Sequence, residues 1–292
     1  DDALRIGNPQ PTPMNVAICT AYGRPEVVVI QKVDRPTPAR GEVLVRVRAT
    51  TVTSADSRLR RADPALTRLV NGLFRPRRWA RLGSTFSGEV VACGPGAARF
   101  QLGERVFGAT GMRLGAHAEY VCLEEAGAIT RLPDQLSHEQ GAALPFGGLA
   151  SHFFLRRAAI QPGQRVLVYG ASGSLGTAGV QLARAAGAVV DGVCSAANAA
   201  LVQSLGAARV FDYARENFAD VGERYDVVYD AVGRSDFGDC LRALSPRGVY
   251  LRAVHMTPGP LLRGLWTGLT SRKRVLGGVA SERLADLQFL CD

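Results

Sequence analysis

The chain has 292 residues, 47% of them hydrophobic and 21% charged, a balance that excludes a disordered protein, a collagen and a disulfide-built miniprotein. At about 150 residues per domain, this length predicts two domains. The formal net charge of +9 is carried by arginine, since Lys32 and Lys273 are the only lysines. Such an excess fits a surface field that attracts an anionic cofactor or substrate.

The densest positive segment lies between residues 58 and 81. A solvated surface and a nucleic-acid patch are the alternatives to a cofactor-attracting field. We expect no nucleic-acid partner, because no stacking aromatics alternate with these arginines. The segment contains Arg58, Arg60, Arg61, Arg68, Arg75, Arg77, Arg78 and Arg81.

The spacing of the cysteines and the composition of the N-terminus indicate where in the cell the protein is found. None of the six cysteines falls in a C-x-x-C pair, so we interpret them as mostly buried, reduced thiols of a cytoplasmic protein. No run of 18 apolar residues predicts a membrane span, and we expect no membrane partner. Residues 1–13 are polar and lack the pattern of a secretory signal, which predicts a flexible N-terminal extension.

Residues 14–136 are predicted to form a β-rich domain of short strands. Glu42–Arg48 alternates charged with apolar residues, the period of a half-buried strand. The other predicted strands are Val16–Cys19, Val27–Ile30, Ser87–Ala92, Glu104–Gly108 and His117–Leu123.

The pattern changes at Ser137, where a Ser-x-x-Gln capping box precedes an apolar helical segment. Beyond it, apolar strands alternate with helices, which predicts a parallel sheet covered on both faces. We therefore expect residues 137–292 to form a doubly wound α/β domain. Its six predicted strands are Arg165–Tyr169, Val189–Cys194, Arg209–Asp212, Tyr225–Asp230, Gly248–Arg252 and Arg274–Val279.

A glycine-rich turn, Gly170–Gly176, directly follows the first of these strands and opens a helix. Small residues let the backbone approach a pyrophosphate, and the helix N-terminus offers N–H groups and a partial positive charge. The turn therefore predicts a dinucleotide site. The residues expected to contact the cofactor are Gly170, Ser172, Gly173, Ser174 and Leu175.

The end of the second strand distinguishes NAD from NADP, because an NAD site places a carboxylate there on the ribose 2′-hydroxyl. No carboxylate occurs between Ser195 and Asn198, and Asp191 lies inside the strand. Ser195 and Asn198 can donate hydrogen bonds to a 2′-phosphate, and Tyr213 follows the third strand toward the same end. We favour NADPH as cofactor; the alternative is that Ser195 and Asn198 only cap the next helix.

Several stretches of the chain resemble the medium-chain dehydrogenase/reductase superfamily, and in particular its zinc-free quinone oxidoreductase (zeta-crystallin-like) branch. The resemblance implies a GroES-like catalytic domain followed by a Rossmann-type domain. It also implies hydride transfer from NADPH to quinones or α,β-unsaturated carbonyls, and a homodimer. The stretches that carry it are residues 14–17, 23–26, 36–38, 42–45, 51–56, 103–108, 115–120, 144–149, 168–173 and 226–233.

The resemblance assigns roles to single residues. Thr53 and Asp56 are placed on the catalytic-domain wall of a cleft between the two domains. Capping of a helix is an equally weighted alternative for Asp56, and His117 is expected to be structural rather than a proton donor. The residues implied to flank the nicotinamide are Val232, Gly233 and Val254.

Zinc-dependent relatives have metal ligands where this chain has Thr53, Ser84 and, approximately, Phe146. These residues cannot form a Cys/His zinc site, so we expect no metal. Without a Lewis acid to lower the pKa of an alcohol, alcohol oxidation is less favoured than quinone or enone reduction. An alcohol dehydrogenase-like activity without zinc remains an alternative.

The chain departs from the family pattern in two places. Ala150 stands where the family often has threonine near the nicotinamide. The segment that in the family returns to the catalytic domain after the last helix is absent by residue 292, so we expect either a fragment of a longer protein or a naturally shortened one. Both departures leave open a non-catalytic NADPH-binding protein of the same fold.

Overall fold

The computed structural model describes residues 12–254 and 271–291. The chain divides into two compact units, Asp1–Ala143 and Leu144–Asp292. Residues 1–11, which make up most of the predicted extension, lie outside the described residues. The first strand starts at Pro13, one residue before the predicted start of the domain, and the Thr12 carbonyl accepts a hydrogen bond from Arg35 N at 3.1 Å.

The first unit is rich in short strands, as the sequence predicts, and these strands pair antiparallel. A two-stranded sheet pairs β1 with β2, and a five-stranded sheet has the order β6-β3-β4-β5-β7. Val43 and Val45 on β3 pack with Phe86 and Val106 in the core of this unit. The strands are β1 Pro13–Cys19, β2 Val28–Asp34, β3 Glu42–Thr50, β4 Thr85–Cys93, β5 Arg105–Ala109, β6 Tyr120–Glu124 and β7 Ile129–Arg131; two helices, α1 Ser54–Arg61 and α2 Thr67–Asn71, lie between β3 and β4.

The helix α3, His138–Ala158, begins with the predicted capping box. Ser137 N donates to Gln140 Oε1 at 2.9 Å, and Gln140 N donates to Ser137 Oγ at 3.3 Å. The division between the units falls inside this helix, a few residues after the predicted boundary at residue 136. The first turn belongs with the first unit because His138 Nδ1 lies 2.8 Å from Ser87 Oγ of β4.

The second unit contains a six-stranded parallel sheet in the order β10-β9-β8-β11-β12-β13. All six predicted strands are present, although β12 starts earlier and β13 ends earlier than expected. The strands are β8 Arg165–Tyr169, β9 Val189–Cys194, β10 Arg209–Asp212, β11 Tyr225–Asp230, β12 Leu244–Arg252 and β13 Arg274–Gly277. The helices are α4 Ser174–Ala185, α5 Ala199–Ser204, α6 Phe237–Ala243 and α7 Leu284–Phe289.

Both faces of this sheet are buried, which explains its continuous apolar strands. Val166 and Val168 of β8 belong to one core, whereas Leu167 between them belongs to the other. The strand order reverses at β8, since β9 lies on one side of it and β11 on the other. In open parallel sheets, ligands bind at the carboxyl ends of the strands beside such a reversal. Among the helices described, none is long and apolar enough to span a bilayer.

Candidate dinucleotide site

The glycine turn after β8 is tied to the end of β9. Gly170 N and Ala171 N both donate to the Val193 carbonyl, at 2.9 and 3.0 Å. A Cβ atom at position 176 would lie 2.1 Å from the Gly170 carbonyl oxygen, so only glycine permits this close approach of helix to turn. The helix α4 starts immediately after Gly173, and its first backbone N–H groups precede the first helical hydrogen bond. The turn is therefore shaped as predicted for a pyrophosphate.

The polar residues predicted at the ribose end are brought together in the structure. Asn198 Nδ2 lies 3.3 Å from both Ser172 Oγ and Ser195 Oγ, and so links the glycine turn to the loop after β9. Ser195 and Asn198 do stand at the N-cap positions of the helical turn Ala196–Asn198 and of α5, but neither makes a side-chain cap hydrogen bond. Their contact with the cofactor stays a prediction. Tyr213 N donates to the Cys194 carbonyl at 3.3 Å, which places Tyr213 beside the same strand end with its ring exposed.

Asp191, the acidic residue of β9, forms hydrogen bonds inside the sheet. Asp191 is buried, and its Oδ2 accepts hydrogen bonds from Arg165 Nη2 at 2.9 Å and from the Tyr225 hydroxyl at 3.0 Å. Burial, together with this carboxylate, raises the pKa of Tyr225. Asp191 therefore stabilises the body of the sheet and does not occupy the ribose position.

The residues expected at the nicotinamide end lie next to one another. A Cβ atom built on Gly170 would be 2.6 Å from Val232 Cγ1, so the glycine turn contacts the loop after β11. Gly233 has φ +73°, and a Cβ atom there would be 2.5 Å from the Val254 carbonyl oxygen. Three segments far apart in sequence thus form one continuous surface at the strand ends.

Asp230, at the end of β11, organises this surface, a role that the sequence analysis missed. Its carboxylate is fully buried and accepts from the backbone N–H groups of Val232 and Gly233 at 3.1 and 2.7 Å. It also accepts from the Ser235 hydroxyl at 2.6 Å and from the Tyr250 hydroxyl at 3.3 Å. Burial and this carboxylate raise the pKa of Tyr250.

Arg252, at the end of β12, was also missed. Its side chain is buried, and its guanidinium donates from Nη2 to the Gly233 carbonyl at 2.9 Å and from Nε to the Val254 carbonyl at 3.1 Å. No carboxylate of the described residues forms an ion pair with it. The only sequence signal was a charged residue directly after the apolar run that ends at Leu251.

In the first unit, Thr53 and Asp56 form a capping box on α1. Thr53 N and Thr53 Oγ1 both donate to Asp56 Oδ2, at 2.8 and 2.7 Å. The other carboxylate oxygen, Asp56 Oδ1, accepts from Gly83 N at 2.8 Å. Asp56 is buried, and both its oxygens are engaged by the protein. This is the capping role left open for Asp56; a catalytic role for Thr53 and Asp56 stays a prediction.

Two known protein families match this chain, one in each of its two units. The alcohol dehydrogenase GroES-like domain family matches residues 39–134, and the zinc-binding dehydrogenase family matches residues 174–253. A quinone oxidoreductase of Pseudomonas aeruginosa is 34% identical over 87% of this chain and 76% of its own length. The chain belongs to the medium-chain dehydrogenase/reductase superfamily. Within this superfamily it falls in the quinone oxidoreductase branch, which binds a nicotinamide cofactor.

Two further proteins are similar to this chain. The solved quinone oxidoreductase from Coxiella burnetii superposes with a TM-score of 0.85 at 27% identity, covering 96% of this chain and 86% of that one. The enoyl reductase component of the lovastatin nonaketide synthase of Aspergillus terreus is 32% identical over 74% of this chain and 61% of its own length. These matches confirm the predicted GroES-like and Rossmann-type architecture.

The positions of the superfamily's zinc ligands carry hydroxyl and apolar side chains here. Asp56 brings the loop of Thr53 next to Gly83, the neighbour of Ser84, while Phe146 lies in α3. In the described part of the chain, no three His, Cys, Asp or Glu side chains come together as a metal site. His117 Nε2 lies 2.9 Å from the Thr51 carbonyl oxygen, in keeping with a structural role. The absence of a metal requirement stays a prediction.

Ala150 stands where the family often has threonine, and the hydroxyl of the next residue, Ser151, does not take the place of the threonine hydroxyl. Ser151 is fully buried, and its Oγ donates to the Leu175 carbonyl at 2.7 Å and lies 3.0 Å from the Tyr229 hydroxyl. Ser151 therefore fixes the first turn of α4 against α3. It acts on the frame of the dinucleotide site and does not replace the missing threonine.

Proposed function

We propose that this protein transfers hydride from NADPH to a quinone or an α,β-unsaturated carbonyl compound, without a metal ion. One observation carries the cofactor assignment: the amide of Asn198 joins the hydroxyls of Ser172 and Ser195 beside the glycine turn. Hydroxyl and amide groups donate hydrogen bonds to a 2′-phosphate, whereas a carboxylate would repel it.

The carboxylate at the end of the neighbouring strand is paired with a cation. Asp212 ends β10, and its carboxylate lies 3.5 Å from Arg215 Nε and accepts from Ala214 N at 3.1 Å. Arg215 is largely exposed and lies two residues after Tyr213. Because this carboxylate is paired, it would repel a 2′-phosphate less than a free carboxylate would.

The residues of the chain position the cofactor and leave the chemistry to it. Gly176 lets the start of α4 approach the pyrophosphate, and Ser151 holds that turn in place. Gly233 and Val254 line the nicotinamide end on a frame set by Asp230 and Arg252. A dinucleotide held by these residues would provide a hydride for the acceptor, and the accompanying proton would come from water.

The acceptor class is inferred from the relatives. The Pseudomonas relative is a quinone oxidoreductase, and the Aspergillus relative is an enoyl reductase component. Both acceptors are activated by their own carbonyl groups and need no Lewis acid. We therefore propose quinone or enone reduction ahead of alcohol oxidation.

An acceptor screen tests this function. The protein is incubated with NADPH and a panel of simple quinones, enones and enals, and NADPH oxidation is followed. We expect turnover with at least one quinone or enone. Reduction of NADP⁺ by alcohols, with no turnover of the panel, would assign alcohol dehydrogenase activity and contradict the proposal.

A second candidate is a non-catalytic NADPH-binding protein, which the unreplaced Ala150 favours. It predicts that NADPH binds with ordinary affinity but that no acceptor is reduced. Restoring the hydroxyl by Ala150→Thr separates the two candidates: a gain of turnover in an inactive wild type assigns the loss of activity to this position.

We also propose a homodimer built through β13. Within the described residues β13 pairs only with β12, so its other edge is open for pairing with a second copy. Sedimentation of the wild type is expected to give twice the chain mass. A monomer at all concentrations would contradict this assembly.

A further inference from the structure

The loop that follows α2 is firmly anchored at its base. Asn71 is buried, and its Oδ1 accepts from Trp79 N at 2.8 Å. The Asn71 carbonyl accepts from Arg77 N at 2.7 Å, and the Trp79 ring is held by a hydrogen bond from Nε1 to the Met112 carbonyl at 2.9 Å. The Tyr22 hydroxyl donates to the Gly72 carbonyl at 2.8 Å. Residues 72–78 therefore project from a fixed base.

The tip of this loop and the adjoining helix expose large apolar side chains. Phe74 is 87% exposed and Leu69 is 72% exposed, which is unusual for residues on a well-anchored surface. An apolar patch of this kind marks an interaction site more often than an accident of folding. The patch, here called the 66–74 patch, consists of Leu66, Leu69, Val70, Leu73 and Phe74.

Arginines flank the 66–74 patch along the sequence, with little opposing charge among them. Residues 57–81 contain eight arginines and a single acidic residue, Asp63. Arg68 stacks over the Tyr22 ring and Arg78 over the Trp79 ring, so two of the cations are fixed beside the loop base. In the described structure, no arginine of this segment forms an ion pair with a carboxylate.

We propose that the 66–74 patch and its arginines dock this protein onto an anionic lipid bilayer. Apolar side chains at an exposed tip can enter the acyl region, while guanidinium groups pair with lipid phosphates at headgroup depth. Nucleic acid fits less well, because the tip offers one exposed aromatic ring and the Trp79 ring is buried. The expectation of no membrane partner rested on the lack of a spanning segment, which does not bear on a surface contact.

Docking would also favour substrates that reside in the bilayer, an inference that rests on the proposed function. Quinones with long apolar tails reside in the bilayer, and a reductase held at its surface meets them there. Docking predicts that a bilayer-embedded quinone is reduced faster in anionic vesicles than in neutral ones. A water-soluble quinone is expected to be reduced equally in both.

Co-sedimentation with vesicles tests the docking itself. The full chain is mixed with vesicles of phosphatidylcholine alone or with phosphatidylglycerol added, at low and high salt. We expect binding to the phosphatidylglycerol vesicles only, weakened by salt. The double variant Leu73→Ser/Phe74→Ser should lose it, while Ile30→Ser/Leu102→Ser, two exposed apolar residues elsewhere in the unit, should not.

A charge-matched pair completes the test. At roughly fivefold per arginine, Arg75→Gln/Arg77→Gln/Arg78→Gln should weaken binding by on the order of a hundredfold. The control variant, with the same loss of charge at other exposed positions, should bind nearly as well as the wild type. It carries Arg40→Gln, Arg46→Gln and Arg247→Gln.

The outcomes separate this proposal from the proposed function. No vesicle binding, or binding that survives Leu73→Ser/Phe74→Ser, overturns docking whatever the reductase activity. Dimers or DNA complexes that are lost in this variant, without vesicle binding, also overturn it. Vesicle binding by a protein that reduces no acceptor leaves docking intact and removes only the proposed function.

Discussion

Arg252 donates a hydrogen bond from its buried guanidinium to the carbonyl oxygen of Gly233, 2.9 Å away on the neighbouring strand end. The same side chain reaches the Val254 carbonyl at 3.1 Å. A single cation thus fixes the two loops proposed to flank the nicotinamide. Its acceptors are two backbone carbonyl groups, so it orients backbone rather than neutralising an acid.

Replacing Arg252 by Met is expected to loosen both loops. Loss of charged hydrogen bonds that leaves buried carbonyls unpaired should lower the free energy of unfolding by about 2 kcal/mol or more. If Arg252 positions the cofactor, NADPH affinity should fall even at temperatures where the variant is fully folded, and Arg252→Lys should recover part of it. Unchanged NADPH affinity in the folded Met variant, by titration, would restrict Arg252 to stability.

Gly176→Ala is expected to damage cofactor binding directly. Its new Cβ atom would meet the Gly170 carbonyl oxygen and the Ala171 backbone, which cannot move aside without opening the turn. We expect at least a tenfold loss of NADPH affinity and a fall of about 1–3 kcal/mol in the free energy of unfolding. Gly238→Ala, in α6, meets only the end of the Asp236 side chain and serves as the control. Equal NADPH affinity in both variants would contradict the assigned pyrophosphate site.

Ser195→Asp tests the ribose end. A carboxylate facing the 2′-phosphate should weaken NADPH binding tenfold or more, about 1.4 kcal/mol, while NADH binding is retained or improved. Ser204→Asp adds the same charge at an exposed position on α5 and should change neither affinity appreciably. The measurement is the ratio of the NADPH and NADH dissociation constants. If Ser195→Asp leaves this ratio unchanged, Ser195 does not lie near the 2′-phosphate.

Much of the fold could be predicted from the sequence because its second unit obeys local rules. Four of its strands, among them Arg165–Tyr169 and Val189–Cys194, have the predicted bounds, since each is an apolar run between turn residues. The capping box at Ser137 and the glycine turn could also be predicted from the sequence, because each depends on residues that are close together in the chain. The three-residue strand Ile129–Arg131 was not predicted, since so short a pairing depends on its neighbour β5.

The site was predicted less completely than the fold. Glycine and hydroxyl residues near strand ends follow from spacing, so Ser172, Ser195 and Asn198 could be predicted to lie together, as they do in the structure. The roles of Asp230 and Arg252 depend on contacts between chain segments that spacing does not reveal. The hydrogen bond from Gly83 N to Asp56 joins residues that are 27 positions apart in the sequence, so spacing could not reveal it. Only the structure shows that both oxygens of Asp56 accept hydrogen bonds.

Asp56→Asn is expected to affect stability more than catalysis. The amide cannot accept from both Thr53 and Gly83 as the carboxylate does, so the free energy of unfolding should fall by about 1–2 kcal/mol. In the folded enzyme kcat should change less than threefold. A much larger loss of kcat at unchanged KM, in protein shown to be folded, would instead give Asp56 a catalytic role.

Mild acid is expected to destabilise the start of α3. Burial, and the nearby charge of Arg105, lower the pKa of His138 below its ordinary value of 6.5. The unfolded chain therefore binds the proton more readily, and the stabilisation present above pH 6.5 is lost as the pH falls through the folded pKa. Unfolding measured from neutral pH downward should show a smaller loss in His138→Gln than in the wild type. An equal loss in both proteins would assign the acid sensitivity to other groups.

The most direct test of the account is NADPH oxidation by chelator-treated protein with a simple quinone as acceptor. We predict quinone-dependent loss of NADPH absorbance that is unchanged by the chelator, slower with NADH, and abolished by Gly176→Ala. Activity that disappears with the chelator and returns with zinc would contradict the metal-free mechanism. Tight NADPH binding without oxidation by any quinone or enone would contradict the reductase assignment itself.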